Sequence, residues 1–320
     1  MGRWSAEFVT FSCRIAPTLA EEHLPMPLSH RLALILICLI WAGNFIASAI
    51  AVDHLPPISV TALRFALVFL LLFPFLRRPA PGQWFNLLAA CWCMGALHFA
   101  LMFTALARSS DVSSIAILMQ VYVPFTTLMA VLILGERIGW RTTSGIALAF
   151  GGVLVVGLDP LVLAQLDVLG LVLISAFFLA LGTIFMRRIR GIGVFDFQAW
   201  NALLSLLPLT MLALLLEEPG PAFAAAGLQS PVWGAMVYSA VGASIIGHGT
   251  FYWLIQRHEV NAVTPTLLLV PVLAVALGVL LRGDQPGPRL LSGGAMVIAG
   301  VLWVTLRARY RRRPVPVLEP

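Results

Sequence analysis

Ten long apolar stretches, separated by short polar connections, dominate this sequence. A membrane-spanning helix needs about 20 mostly apolar residues. The stretches at 31–51, 57–76, 85–107, 112–134, 142–158, 168–187, 196–216, 232–255, 260–281 and 289–306 meet that need. In hydrocarbon a chain must satisfy its own backbone hydrogen bonds, which leaves helices as the form for such segments. The composition agrees, being 60% hydrophobic and 11% charged, where a soluble domain carries roughly 25% charged residues. No connection is long enough to hold a soluble domain. The expected fold class is an all-α membrane protein with ten transmembrane helices.

The charge of +6 and the pI near 9.8 would suggest nucleic acid in a soluble chain, but here the arginines follow a topology. With a cytoplasmic N-terminus, Arg3, Arg14, Arg31, Arg77, Arg78, Arg137, Arg141, Arg187, Arg188, Arg190, Arg257, Arg307, Arg309, Arg311, Arg312 and Arg313 fall inside. Arg108, Arg282 and Arg289 fall outside, and Arg64 lies within the second helix. This asymmetry is the positive-inside pattern of a multi-pass inner-membrane protein with both termini cytoplasmic. The lipid bilayer is thus an expected partner and nucleic acid is not. Residues 1–30 read as an unstructured N-terminal extension, interrupted by Arg14, Pro17, Glu21 and Glu22, with Met26 as an alternative start. Residues 307–320 read as a basic cytoplasmic tail near lipid headgroups. Cys13, Cys38, Cys91 and Cys93 have no metal-site spacing, so neither metal nor other cofactor is expected.

The sequence repeats internally. Gly135-Glu136, Ser144-Gly145, Ala147 and Gly152 recur 148 residues later as Gly283-Asp284, Ser292-Gly293, Ala295 and Gly300. Phe103 and Leu106 reappear as Phe251 and Leu254 at the same offset, and Pro124 as Pro271 one residue short of it. Gly43-Asn44 resembles Gly182-Thr183 at the front of each half. Each half, 31–158 and 168–306, therefore holds five helices. Five is odd, so the second half enters the membrane upside down. Inverted repeats of this kind expose one midplane site alternately to either side, as in many secondary transporters.

The residues also carry a family resemblance. Trp41-Ala-Gly-Asn44-Phe45, Leu63-Arg64-Phe65, Leu134-Gly135-Glu136-Arg137, Ser144-Gly145 and Ala180-Leu-Gly182-Thr183, with the closing Arg187-Arg188, stand in order over residues 31–306. In these the chain resembles an EamA-type member of the drug/metabolite transporter superfamily. The resemblance implies ten helices, both termini cytoplasmic, a central cavity lined mainly by helices 1, 3, 4, 6, 8 and 9, and export of amino acids, related metabolites or toxic compounds. Gly283-Asp284 departs from the family's usual Gly-Glu, which implies an altered capping role.

Polar groups inside lipid are costly and each is a functional candidate. Arg64, about 10 Å into the second helix at 1.5 Å per residue, either faces the cavity, where its fork suits a carboxylate or phosphate, or snorkels to the outer headgroups or bonds a neighbouring helix's carbonyls. His98 and His248 occupy near-equivalent places and either couple transport to protons or bond neutrally across helices. Ser244, His248 and Tyr252, at i, i+4 and i+8, make one α-helical stripe. Trp41, Asn44 and Ser48 share one face of the first helix, either as a ligand wall or as interhelical glue. Gln120, Thr183, Asn201 and Ser205 follow with less weight. Pro124, Pro265 and Pro271 break helices 4 and 9 at matching places, the expected pointer to a binding site. Ala147-xxx-Gly151 and Ala295-xxx-Ala299 predict close helix packing, within one monomer in preference to a possible homodimer. Glu136 is expected in a local ion pair with Arg137 or Arg141 in preference to a gating role.

The best functional reading is a secondary exporter of small metabolites, amino acids or related compounds, and not an enzyme. A membrane-embedded enzyme would need a constellation of acids with His or Cys, and the acids all lie in or near loops. A receptor would need a larger outward region than 217–231. A nucleotide-driven pump would need a phosphate-binding loop, and no G-x-x-x-x-G-K-[ST] occurs.

Overall fold

In a computed structural model, the structure describes residues 26–227, 230–255, 257–258 and 263–311. The chain is helical throughout, with no strand among these residues. The long helices are α1 (Leu28–Val52), α2 (Pro57–Phe75), α3 (Trp84–Arg108), α4 (Val112–Leu134), α5 (Trp140–Gly157), α6 (Leu166–Met186), α7 (Val194–Leu216), α8 (230–255), α9 (Pro265–Arg282) and α10 (Pro288–Arg311). Among the described residues, α1 to α7, α9 and α10 are nine helices long and apolar enough to cross a membrane. The expected stretch at 232–255 is helical as α8, whose neighbouring residues lie partly outside the described set. Residues 1–25 and 312–320, the extension and most of the tail, also lie outside it. Short helices Pro160–Leu163 and Pro219–Ala226 occupy two connections.

Three departures from α geometry recur at matching places. In α3, Trp92–Leu97 is π-helical, and in α8 so is Tyr238–Gly247. In α4 a 3₁₀ turn, Met119–Val121, precedes Pro124, and in α9 the 3₁₀ segment Thr264–Leu268 precedes Pro271. Proline has no N–H to return to the carbonyl four residues back, and its ring crowds that carbonyl, so the ladder tightens upstream. Pro265 sits in the first turn of its 3₁₀ segment, where a missing N–H costs least. Finally, α4 ends at Gly135 (φ 67°) and α9 at Gly283 (φ 74°). A left-handed cap of this kind favours glycine. The N–H groups of the glycine and the following acid converge on one carbonyl, Ala130 in the first case and Gly278 in the second.

The packing crosses between the two halves of the chain. α1 lies against α8 and α9, while α6 lies against α3 and α4. α2 pairs with α7, α5 with α10, and the start of α4 with α9. The α5–α10 contact is the closest, because glycines let the backbones touch. A Cβ on Gly152 would stand 2.6 Å from the Gly293 carbonyl oxygen, and one on Gly300 would stand 2.6 Å from that of Gly145. The expected close packing is therefore present, on a different face from Ala147 and Gly151. Ala147, Ala295 and Ala299 point outward and are exposed, with Gly151 half-buried.

Candidate functional site

Where α1, α3, α4 and α6 meet they enclose a cavity of about 240 Å³, lined by Asn44, Phe45, Ser48, His98, Phe99, Met102, Phe103, Met119, Gln120, Tyr122 and Leu179. Its polar side chains come from helix breaks and from one face of α1. Gln120 lies in the 3₁₀ turn before Pro124, and His98 is the first residue after the π-helical stretch of α3. Such irregular backbone is tolerated at membrane depth where it is enclosed by protein or lines a cavity. A groove of about 620 Å³, lined by Phe75, Arg77, Phe195, Asp196, Thr250 and Trp253 among others, lies at the ends of α2, α7 and α8.

Asn44, Ser48, His98 and Gln120, all named from the sequence, thus line one cavity. Asn44 Oδ1 is buried there with no partner. His98 is buried, and its Nδ1 lies 2.8 Å from Ser175 Oγ and 3.2 Å from the Ser175 carbonyl oxygen. The Ser175 hydroxyl in turn donates to the His98 carbonyl at 3.0 Å. This couples α3 to α6, and Ser175 was not anticipated, since a polar residue in an apolar helix is visible in sequence but its partner on another helix, here His98, is not. Trp41 does not join Asn44 and Ser48. Its Nε1 donates to the Ala243 carbonyl of α8 at 3.2 Å, and its ring packs 5.0 Å from that of His248. Thr183, the counterpart of Asn44, donates to its own helix at Leu179 and does not line the cavity.

Nor do Ser244 and His248 share a face. Ser244 is buried and donates five residues back, to the Ser239 carbonyl, whereas His248 is exposed. The stripe assumes α-helical spacing, and the π-helical stretch Tyr238–Gly247 changes that spacing between the two residues. The Tyr252 side chain lies outside the described residues. The cavity accordingly draws on α1, α3, α4 and α6 and not on α8 or α9.

Arg64 neither snorkels nor bonds backbone. It is 4% exposed, donates from Nη2 to Ser244 Oγ at 3.0 Å, and lies 4.6 Å over the ring of the cavity residue Phe99. Its Nε and Nη1 have no hydrogen-bond partner.

Both ends of the bundle carry charged cross-links. Arg282 at the end of α9 donates twice to Asp53 after α1, the nearer contact being 2.5 Å. Arg187 after α6 donates to Glu136 after α4 at 2.6 Å. Glu136 thus has a salt-bridge partner 51 residues away, across the two halves, one that the local spacing does not reveal. Asp284 caps another helix: its Oδ2 accepts from the N–H groups of Val112 and Ser113 and from the Ser113 hydroxyl, at 2.7–3.0 Å. Glu217 does the same for α2, accepting from the N–H groups of Ile58 and Ser59 and from the Ser59 hydroxyl. Among the described residues, no group of three or more His, Cys, Asp or Glu is arranged to hold a metal.

Long apolar helices around a part-polar internal cavity define a multi-pass membrane protein. The chain belongs to the EamA-like transporter family, whose model matches residues 29–158 and again 168–306, and it is a transporter rather than an enzyme. It is 28% identical over 286 residues, 87% of this chain and 95% of the relative, to the "Probable amino-acid metabolite efflux pump" of Escherichia coli (strain K12). It is 27% identical over 290 residues, 88% of this chain and 95% of the relative, to the "Probable terminal-alkyne amino-acid exporter" of Streptantibioticus cattleyicolor. One crystal structure, 18% identical, superposes with a TM-score of 0.59 over 89% of this chain and 99% of that one, a likeness of fold alone.

Proposed function

We propose that this protein is a secondary exporter of small metabolites, amino acids or related compounds, working in the bacterial inner membrane by alternating access. In this reading ten transmembrane helices form two inverted five-helix repeats, 31–158 and 168–306, with both termini cytoplasmic. The observation that carries it is the crossed packing: α1 engages α8 and α9 while α6 engages α3 and α4, as a pseudo-two-fold between the halves requires. The paired π-helical, 3₁₀ and left-handed-glycine positions support the same reading, as do the two family matches in one chain. The names of the relatives support amino acids as the substrate class. The cavity of about 240 Å³ is smaller than the 300–1,000 Å³ of typical drug sites, which favours a compact metabolite in this conformation.

Rocking one half against the other needs contacts that make and break at each face. Asp53–Arg282 and Glu136–Arg187 each join an α1 or α6 end to an α9 or α4 end, and we assign them as the outer and inner latches.

The test is counterflow and gradient-driven transport in proteoliposomes loaded with a pool of radiolabelled amino acids, with and without a pH gradient. Saturable movement of at least one amino acid is expected, abolished by bulky substitution of Asn44 or Gln120. Absence of any saturable flux from folded protein would sink the amino-acid assignment.

A further inference from the structure

Arg64 is the least satisfied charge in the described protein. A buried cation costs several kcal/mol unless an anion and full hydrogen bonding compensate it. Here the compensation is one serine hydroxyl and one aromatic face, and Nε and Nη1 are left with nothing. Among the described residues, every ion pair lies elsewhere. A buried cation with two unpartnered nitrogens and no carboxylate beside it is complete only with an anion from outside the protein.

The position of Arg64 indicates how that anion arrives. Phe99, whose ring carries the guanidinium, is itself a wall of the cavity. It follows His98 directly after the π-helical stretch Trp92–Leu97, a backbone form that shifts locally toward α and often marks functional sites. Rotation of α3 at this stretch would draw the ring aside and open the unpartnered guanidinium N–H groups to the cavity.

We infer that Arg64 is the specificity-determining residue of the transport site, taking the substrate's carboxylate on a free Nε–H or Nη1–H together with the second N–H of Nη2, while Phe99 screens it in the unloaded conformation. This deepens the exporter reading and rests on it. The guanidinium fork matches a planar carboxylate in two parallel hydrogen bonds, so the site should reject analogues in which the carboxylate is masked.

The test compares each transported L-amino acid with its own amide in proteoliposomes of wild type, Arg64→Gln and Arg64→Lys. Wild type should favour the acid by at least roughly tenfold, the loss expected when a charge-assisted hydrogen-bonding partner is removed. Arg64→Gln should bring acid and amide within about twofold, and Arg64→Lys, which keeps the charge but not the fork, should fall between. Equal transport of acid and amide by wild type overturns the inference whether or not any variant folds, and so does an unchanged preference in folded Arg64→Gln. If wild type moves neither acids nor amides, the exporter reading fails. Carboxylate binding is then read by the thermal shift that benzoate gives over benzamide, and an equal shift in wild type and Arg64→Lys overturns the inference as well.

Discussion

Asp284 shows what one carboxylate does when the fold brings it to a helix start. It satisfies three donors at the beginning of α4, groups that water cannot reach because Val112 and Ser113 are buried. Asp284→Ala should lower stability by about 1–3 kcal/mol, the cost of stranding buried donors, read as a reduced melting temperature in detergent. Its neighbour Asp111 has a different signature. Burial pushes the Asp111 carboxyl above the usual aspartate range, the bonds from the Ser114 N–H and hydroxyl oppose this, and the nearby Asp284 and Asp159 add to the rise. A carboxyl raised in the native state contributes stability that is complete below the ordinary aspartate value of about 4. That contribution is lost as pH rises through the higher native value. Melting of wild type across that window should decline with pH, and Asp111→Asn, which cannot ionise, should remove that part of the slope.

At the scale of the element, helix identity follows from length and apolarity, and the irregularities follow from fewer residues. Pro124 and Pro271 announce their 3₁₀ turns in the sequence, because the missing N–H and the ring leave little choice. The π-helical stretches of α3 and α8 carry no such mark, since an extra residue in a turn is set by what packs on each side. That is why Ser244 and His248 do not share a face, and why His98 and His248 differ so much in burial. The α5–α10 pair is held by contact between backbones, which yield less than side chains. Gly152→Ala places a methyl group against the Gly293 carbonyl and the Val297 backbone. It should cost about 1–3 kcal/mol, as overpacking does, whereas Ala147→Leu on the exposed face should cost little. Thermal melting of the two variants side by side separates these outcomes.

For the whole molecule the latches matter more to conformational balance than to stability. Both ion pairs are partly exposed, with side-chain exposures of 31–47%, and exposed pairs contribute about 0–1 kcal/mol. A bias of that size alters a two-state population several-fold without threatening the fold. Asp53→Asn should therefore leave melting nearly unchanged while raising the rate at which an impermeant maleimide, added from the periplasmic side, labels a cysteine placed at Ser48 in a cysteine-free background. Glu136→Gln should lower that rate. Labelling that moves the same way in both variants would argue against latches at opposite faces.

Nine apolar helices and the family were legible in the residues alone, and the arginine pattern and the recurring motifs suggested the sidedness and repeat of the proposed reading. Each of these depends on composition and spacing along the chain, and hydrocarbon permits few alternatives. The sequence also marked Asn44, Ser48, Arg64, His98 and Gln120, because a polar residue in lipid is conspicuous wherever it faces. Which of them meet was settled by the packing of the helices. Trp41 turns to α8 because a backbone carbonyl there takes its N–H, Glu136 pairs with Arg187 because α4 and α6 end side by side, and Arg64 lies over the ring of Phe99 and bonds Ser244. Those outcomes depend on helix rotation and on neighbours far away in sequence, which periodicity cannot encode once a π-helical or 3₁₀ turn has shifted the register.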